Sequence, residues 1–140
     1  NRAAKAVRAI GDAGAQQRTH IAAPHHGKLI HAVDNPMASM DSAAKVTLLN
    51  RVEALAKAAD PRVVQVMAGL SCEYDLIYIA RLDGKHAADI RPLVRLSVTV
   101  IAKQGERREQ GSAGGGGRFD LAYFNEARLQ EYVQTAVKQA

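Results

Sequence analysis

The spacing of apolar residues changes abruptly at Pro61, and this change limits the possible folds more than any other feature. Before it, apolar residues recur at helical spacing from Leu48 to Ala59. After it, apolar and polar residues alternate with a period of two as far as about Ser112, which is typical of strands. Because a residue before proline avoids helical dihedrals, Asp60 ends the helix. The sequence therefore predicts a helix followed directly by a sheet.

The alternating segment divides into four predicted strands. The first two are expected to form a hairpin with its tip at Ser71 to Glu73, where Cys72 is a small apolar filler. Asp83-Gly84 and Gly105 supply the next two turns, because glycine tolerates left-handed dihedrals. The predicted strands lie at 64–70, 74–80, 93–102 and 107–112.

The chain of 140 residues is long enough for one compact domain. We predict a fragment truncated at both ends, because helical apolar spacing begins with the first residues and is still running at Ala140. The expected fold class is α+β, with a four-stranded antiparallel sheet and flanking helices. Its predicted segments are helix 1–10, irregular loop 11–39, helix 40–60, antiparallel sheet 62–112, Gly-rich loop 113–119 and helix 120–140.

Composition argues against several classes of protein. No apolar run is long enough to cross a bilayer and no secretory signal is visible, so we predict no membrane partner. The net charge of +5 comes from 19 basic and 14 acidic residues spread along the chain, which argues against nucleic acid as a partner. The single cysteine, Cys72, cannot form an internal disulfide, so a cytoplasmic location is predicted.

Two patterns that could indicate a catalytic or ligand site are incomplete. Four of the five histidines lie in the predicted loop at 11–39, but their spacing fits neither a helix face nor a zinc finger. In the segment Gly111–Arg118, the last glycine is not followed by the lysine and the serine or threonine of a phosphate-binding loop. We therefore predict no catalytic residue and no metal ligand in this chain. The loop histidines are His20, His25, His26 and His31.

Two long segments, Asp83–Val98 (DGKHAADIRPLVRLSV) and Gly111–Phe119 (GSAGGGGRF), resemble the TldD/PmbA family of zinc metallopeptidases, and within it the TldD branch. The similarity extends through Ala54–Leu70 and, more loosely, through Val33–Pro36. The segments occur in the family's order and spacing. The resemblance identifies the chain with the N-terminal region of such a protein.

The resemblance also implies an activity for the full-length parent. It implies a bacterial cytoplasmic peptidase that degrades or matures unfolded, flexible peptides, together with a PmbA-type (TldE) sibling subunit or as a homodimer. The parent's zinc would be bound by an H-E-x-x-x-H helix and a later cysteine. No such motif occurs in this chain, so we expect no cofactor within it and a non-catalytic role.

A sheet with a free edge can bind an extended peptide as an additional strand. The candidate edges are the strand from Leu93 to Ala102 and the polar strand from Arg107 to Ser112. This prediction follows from strand physics and not from the family motif. The predicted peptide-binding residues are Arg95, Ser97, Thr99, Arg107, Gly114, Gly115, Gly116, Gly117 and Arg118.

A second interpretation belongs to a different class of protein. It is a stand-alone binding or scaffold module, for example a nucleic-acid-binding or gyrase-associated modulator. An H-E-x-x-x-H helix encoded beyond Ala140 would favour the peptidase, whereas a stop codon there would favour the module.

Overall fold

A computed structural model of the chain describes residues 34–81 and 85–140, together with residues 2, 5, 6, 8, 9 and 31. The bounds of the predicted helix 1–10 and most of the predicted loop 11–39 lie outside the described residues. In the described part, short 3-10 helices cover Pro36–Ala38 and Leu121–Tyr123. The longer elements are α1 (Ser42–Ala59), β1 (Val63–Ala80), β2 (His86–Gln104), β3 (Arg107–Gly117) and α2 (Glu126–Gln139).

The chain divides into two compact units. The first contains α1, β3, α2 and most of β1 and β2. In the second, the backbone N–H of Arg81 donates to the carbonyl of Lys85 at 2.8 Å, and the rings of Tyr78 and His86 lie 6.1 Å apart. The first unit is Lys28–Ile77 with Asp89–Ala140, and the second is Asn1–Gly27 with Tyr78–Ala88.

Both helices begin at a side-chain cap. The Asp41 carboxylate accepts a hydrogen bond from the backbone N–H of Ala44 at 2.7 Å, and the Asn125 side chain accepts one from Arg128 N–H at 3.2 Å. Helix α2 packs on both α1 and β3. Within the described part of the chain, no helix is long and apolar enough to cross a bilayer.

The core lies between β2 and the two helices. Alternate side chains of β2, namely Val94, Leu96, Val98 and Val100, are each 0% exposed. Such alternation is expected of a strand with one buried face. The helices cover this face with Leu48, Val52, Ala56, Leu129, Tyr132, Val133 and Ala136.

The strands lie in the order β1-β2-β3, so β2 is the central strand. Strands β2 and β3 are antiparallel, with Gln104 opposite Arg107 and Val94 opposite Gly117. Gly105 lies in the turn between them with a φ of +62°, which confirms the turn predicted at this glycine.

The sheet described has three strands, and the predicted hairpin at Ser71 to Glu73 is absent. β1 runs through this segment without interruption. Leu70, Cys72 and Tyr74 are half-buried, while the two polar residues between them are exposed. The polar residues therefore belong to the exposed face of one long strand, and Cys72 lies within that strand instead of at a tip.

The glycine run also differs from the prediction. The segment 113–119 was expected to be a loop, yet β3 continues to Gly117. Gly114–Gly117 pair in antiparallel register with Val94–Ser97 of β2. Glycine has a low strand propensity, so the pairing partner and the packing around β3 determine the structure of this segment.

Close neighbours explain why glycine is required in β3. A methyl group at Gly111 would overlap the carbonyl oxygen of Ala136, so α2 approaches the strand backbone directly. Gly114 has a φ of +156°, which L-residues rarely adopt, and a methyl group there would overlap the carbonyl oxygen of Leu96. Side chains at these positions would push α2 or β2 away from β3.

Candidate functional site

The sheet face that points away from α1 and α2 brings together five of the predicted peptide-binding residues. They occupy the positions of β2 between the buried side chains and the positions of β3 paired with them. We call this surface the distal face. It comprises Arg95, Ser97 and Thr99 of β2, paired with Gly116, Gly114 and Ser112 of β3.

Short polar side chains connect the strands across the distal face. The hydroxyl oxygens of Thr99 and Ser112 lie 3.0 Å apart in a hydrogen bond. The Ser97 hydroxyl donates to the carbonyl oxygen of Gly69 in β1 at 3.3 Å, which adds Gly69 to this face. Apart from Arg95, these side chains are no larger than threonine, so this part of the face is smooth.

Two predicted glycines lie on the opposite side of β3. A side chain at Gly115 would meet the Tyr132 hydroxyl of α2 at 2.6 Å, and one at Gly117 would meet the Phe119 ring at 2.6 Å. These two glycines therefore make room for aromatic side chains on the helix side.

Two predicted arginines are also absent from the distal face. Arg107 lies at the other end of β3, where its Nε donates to Glu109 at 2.7 Å. Arg118 follows β3 and donates to the carbonyl oxygen of Pro92 at 3.2 Å. Neither side chain is brought together with Arg95, Ser97 and Thr99.

Of the two predicted edges, one is not an edge. The segment from Leu93 to Ala102 lies within β2, which has a neighbour on each side, so it cannot accept an additional strand. The segment from Arg107 to Ser112 does lie in β3, at one edge of the sheet.

The backbone of β3 shows which groups face outwards. The N–H of Ser112 donates to the Gln139 side chain of α2 at 3.2 Å, so it points away from β2. In an antiparallel ladder, the N–H and C=O groups of alternate residues point the same way. Gly114 and Gly116 therefore also direct their backbone groups outwards, and both are exposed. This edge has no side chain at either position.

Sequence reasoning missed Gly69, Ser112 and Gln139. Ser112 could have been found, because a two-residue turn at Gly105 fixes the register of β2 against β3. Counting outwards from that turn places Ser112 opposite Thr99. Gly69 and Gln139 gave no comparable signal, because their positions depend on packing between distant parts of the chain.

The described residues do not provide a zinc peptidase centre. Among them, no group of three or more His, Cys, Asp or Glu side chains could hold a metal ion. Such a centre requires three protein ligands and an open position, so the donors present do not fit. Burial raises the pKa of the Cys72 thiol, which disfavours the thiolate. Of the loop histidines, His20, His25 and His26 lie outside the described residues.

Ion pairs balance several of the basic side chains. They occur between neighbours along the chain and, in one case, between α1 and α2. Among the described residues, these pairs place both signs of charge side by side on the surface. The pairs are Arg51–Glu126, Lys57–Glu53, Arg62–Asp60, Arg91–Asp89 and Arg107–Glu109.

The Asp60–Arg62 pair makes stability depend on pH. Hydrogen bonds from the guanidinium and the backbone N–H of Arg62 lower the pKa of Asp60 to about 2. Because the folded pKa is depressed, the stabilisation is present above the unfolded aspartate pKa of about 4 and is lost as the pH falls towards 2.

At pH 7 we expect the wild type to unfold at a higher urea concentration than the Asp60→Asn variant. The difference between their urea midpoints should disappear near pH 2. A difference that stayed constant across this range would contradict the pairing.

A family model and several similar proteins relate the chain to the same family. The family model described as the PmbA/TldA metallopeptidase central domain matches residues 35–140. A protein named metalloprotease TldD homolog from Haemophilus influenzae is 44% identical over 115 residues, covering 79% of this chain and 24% of that protein. A protein of the same name from Buchnera aphidicola subsp. Schizaphis graminum is 39% identical over 111 residues, covering 74% of this chain and 23% of its own length.

Two facts follow from these matches. The chain spans about a quarter of the length of the curated relatives that it matches. The matching model describes a central domain, which corrects the placement in the N-terminal region.

Proposed function

Because this chain belongs to the PmbA/TldD family of metallopeptidases, we propose that it is a non-catalytic part of a TldD-like zinc peptidase whose sheet holds the peptide to be cleaved. The proposed binding site is the outer edge of β3 at Gly114 and Gly116. One observation supports it above all: the backbone groups of both glycines point outwards from a strand edge that has no side chains there.

Binding at this edge would tolerate many peptide sequences. An added strand is held by main-chain hydrogen bonds, which every residue except proline can make. The peptide would lie beside β3, one strand away from Arg95, Ser97 and Thr99, and the glycines between them leave room for varied side chains. Such tolerance suits a peptidase that degrades or matures unfolded peptides.

We place the catalytic centre of the parent outside these 140 residues. The chain contains no H-E-x-x-x-H sequence, and the described donors do not fit a zinc centre. Zinc bound elsewhere in the parent would activate water for attack on the peptide carbonyl. The role proposed for this region is to hold the peptide extended, in a cytoplasmic enzyme that includes a PmbA-type sibling subunit.

Backbone recognition predicts a specific response to N-methylation. An unstructured peptide labelled with a fluorophore should bind this chain, and its affinity should fall at least about tenfold when alternate backbone nitrogens on the pairing edge are methylated, because those N–H donors are lost. Fluorescence anisotropy measures the binding. Amide hydrogen exchange should show new protection at Gly114 and Gly116 when the peptide is bound.

The matched control is the same peptide methylated on the other set of alternate nitrogens, which point away from the pairing edge and should leave affinity nearly unchanged. Equal effects of both methylation patterns, or binding without protection at Gly114 and Gly116, would exclude strand addition at β3. Salt-sensitive binding of an oligonucleotide, without peptide binding, would favour the nucleic-acid module instead.

A further inference from the structure

A stacked group of side chains lies beside the last residues of β3, on the side of the sheet that carries the helices. The rings of Phe119 and Tyr123 are inclined by only 7°, and their centroids lie 4.4 Å apart. The guanidinium carbon of Arg128 in α2 lies 4.0 Å from the centroid of the Tyr123 ring, within the range of a cation–π contact. These contacts orient the Phe119 ring relative to α2.

Phe119 is both packed against β3 and exposed. A side chain at Gly117 would meet the Phe119 ring at 2.6 Å, so the ring occupies the space that this glycine leaves on the helix side. Within the part of the chain that the structure describes, Phe119 is 48% exposed, whereas the neighbouring Phe124 is 5% exposed. Covering an aromatic ring with another apolar group is favourable. The exposed part of the Phe119 ring can therefore bind a further apolar side chain.

A peptide bound as a strand on β3 would bring one of its side chains to this ring. Gly116 directs its backbone outwards, so Gly117 directs its own towards β2. On the outer edge, Gly117 would therefore form a non-hydrogen-bonded pair with an antiparallel peptide, in which the opposite Cα atoms are only about 4.5 Å apart. The peptide residue opposite Gly117 would place its side chain on the helix side, next to Phe119.

We propose that Phe119 determines specificity at this site by favouring peptides with an aromatic side chain opposite Gly117. This inference rests on the proposed function, because it requires a peptide on the outer edge of β3. Gly117 contributes no side chain to the cross-strand pair, and the Phe119 ring takes its place. At the neighbouring distal positions, opposite Gly114 and Gly116, the peptide meets no side chain of β3. The site is therefore selective at one position and tolerant at the positions beside it.

Two labelled peptides of identical composition test this contact. Both consist of serine and threonine with one phenylalanine, and both are N-methylated on the alternate nitrogens that point away from β3, which restricts pairing to one edge. The first peptide carries phenylalanine at a methylated position, whose side chain an antiparallel strand directs to the helix side. The second carries it at the next, unmethylated position, whose side chain faces the distal side. Fluorescence anisotropy with the full chain should show about fivefold tighter binding of the first peptide.

Substitutions of Phe119 separate a contact with the peptide from a structural role. Phe119→Ala should abolish the difference in affinity between the two peptides, whereas Phe119→Tyr keeps the ring and should preserve it. Circular dichroism checks that each variant is folded. If Phe119 only supported β3, its replacement by alanine would weaken the binding of both peptides by the same factor, and that result would overturn the inference.

The wild-type measurements alone distinguish this inference from the proposed function. Equal affinity for the two peptides, with new amide protection at Gly114 and Gly116, would overturn the role of Phe119 and leave strand addition intact. Tighter binding of the second peptide would also overturn it. Binding of neither peptide would overturn both the role of Phe119 and the proposed strand addition.

Discussion

Replacing Gly111 with alanine should lower the free energy of unfolding by about 3 kcal/mol, because the new methyl group has no space. It would overlap the carbonyl oxygen of Ala136, which belongs to the backbone of α2 and cannot rotate away. Relief would require α2 to move from β3 and thereby loosen its buried contacts. Urea unfolding followed by circular dichroism measures the loss.

Gly105→Ala is the matched control. A side chain there would meet nothing within 4 Å, and the only cost is the φ of +62°. That cost is about 1 kcal/mol. If Gly111→Ala destabilised the protein no more than Gly105→Ala does, the close approach of α2 to Gly111 would be refuted.

Leu96→Ala should destabilise the protein by about 3 kcal/mol, because a fully buried side chain leaves a cavity among residues that cannot collapse completely. Leu96 is 0% exposed and lies at the centre of the buried face of β2. Leu76→Ala is the control, since Leu76 is 71% exposed and its truncation should change stability by less than about 0.5 kcal/mol. Similar losses in the two variants would mean that the core is not centred on β2.

Local signals predicted the helix before Pro61, the turn at Gly105 and the inward-facing positions of β2. Each of these features depends on residues close together in the chain. Proline excludes helical dihedrals from its neighbour, glycine permits a left-handed turn, and alternation from Val94 to Val100 defines a buried face. The antiparallel pairing of β2 with β3 follows from the turn, and α2 was predicted from the helical apolar spacing that continues to Ala140.

The errors came from segments where distant contacts outweigh local preference. Ser71 and Glu73 are polar and sit between apolar runs, which favours a turn, yet they continue one face of β1. The run Gly114–Gly117 favours a loop by propensity, but the proximity of β2 and α2 makes it a strand. A single sequence does not contain the positions of those neighbours.

The candidate site was predicted only in part, because some of its residues are brought together by contacts between distant segments of the chain. Arg95, Ser97 and Thr99 share a face because strands alternate, and that can be read from β2 alone. Their alignment with Gly114 and Gly116 requires the register of β3. The sequence left two candidate edges open, and the one in β2 is not an edge, because strand order is a property of the whole sheet.

Because β2 lies between two other strands and its side chains alternate, its residues fall into a core-facing set and a set that faces the surface. Residues such as Leu96 and Val98 point their side chains into the core, whereas Ser97 and Thr99 point theirs to the distal face. Surface substitutions away from buried contacts usually change stability little. Mutations at the second set can therefore accumulate during evolution, or be screened in the laboratory, with little cost to folding, so that the distal face can change while the architecture is preserved.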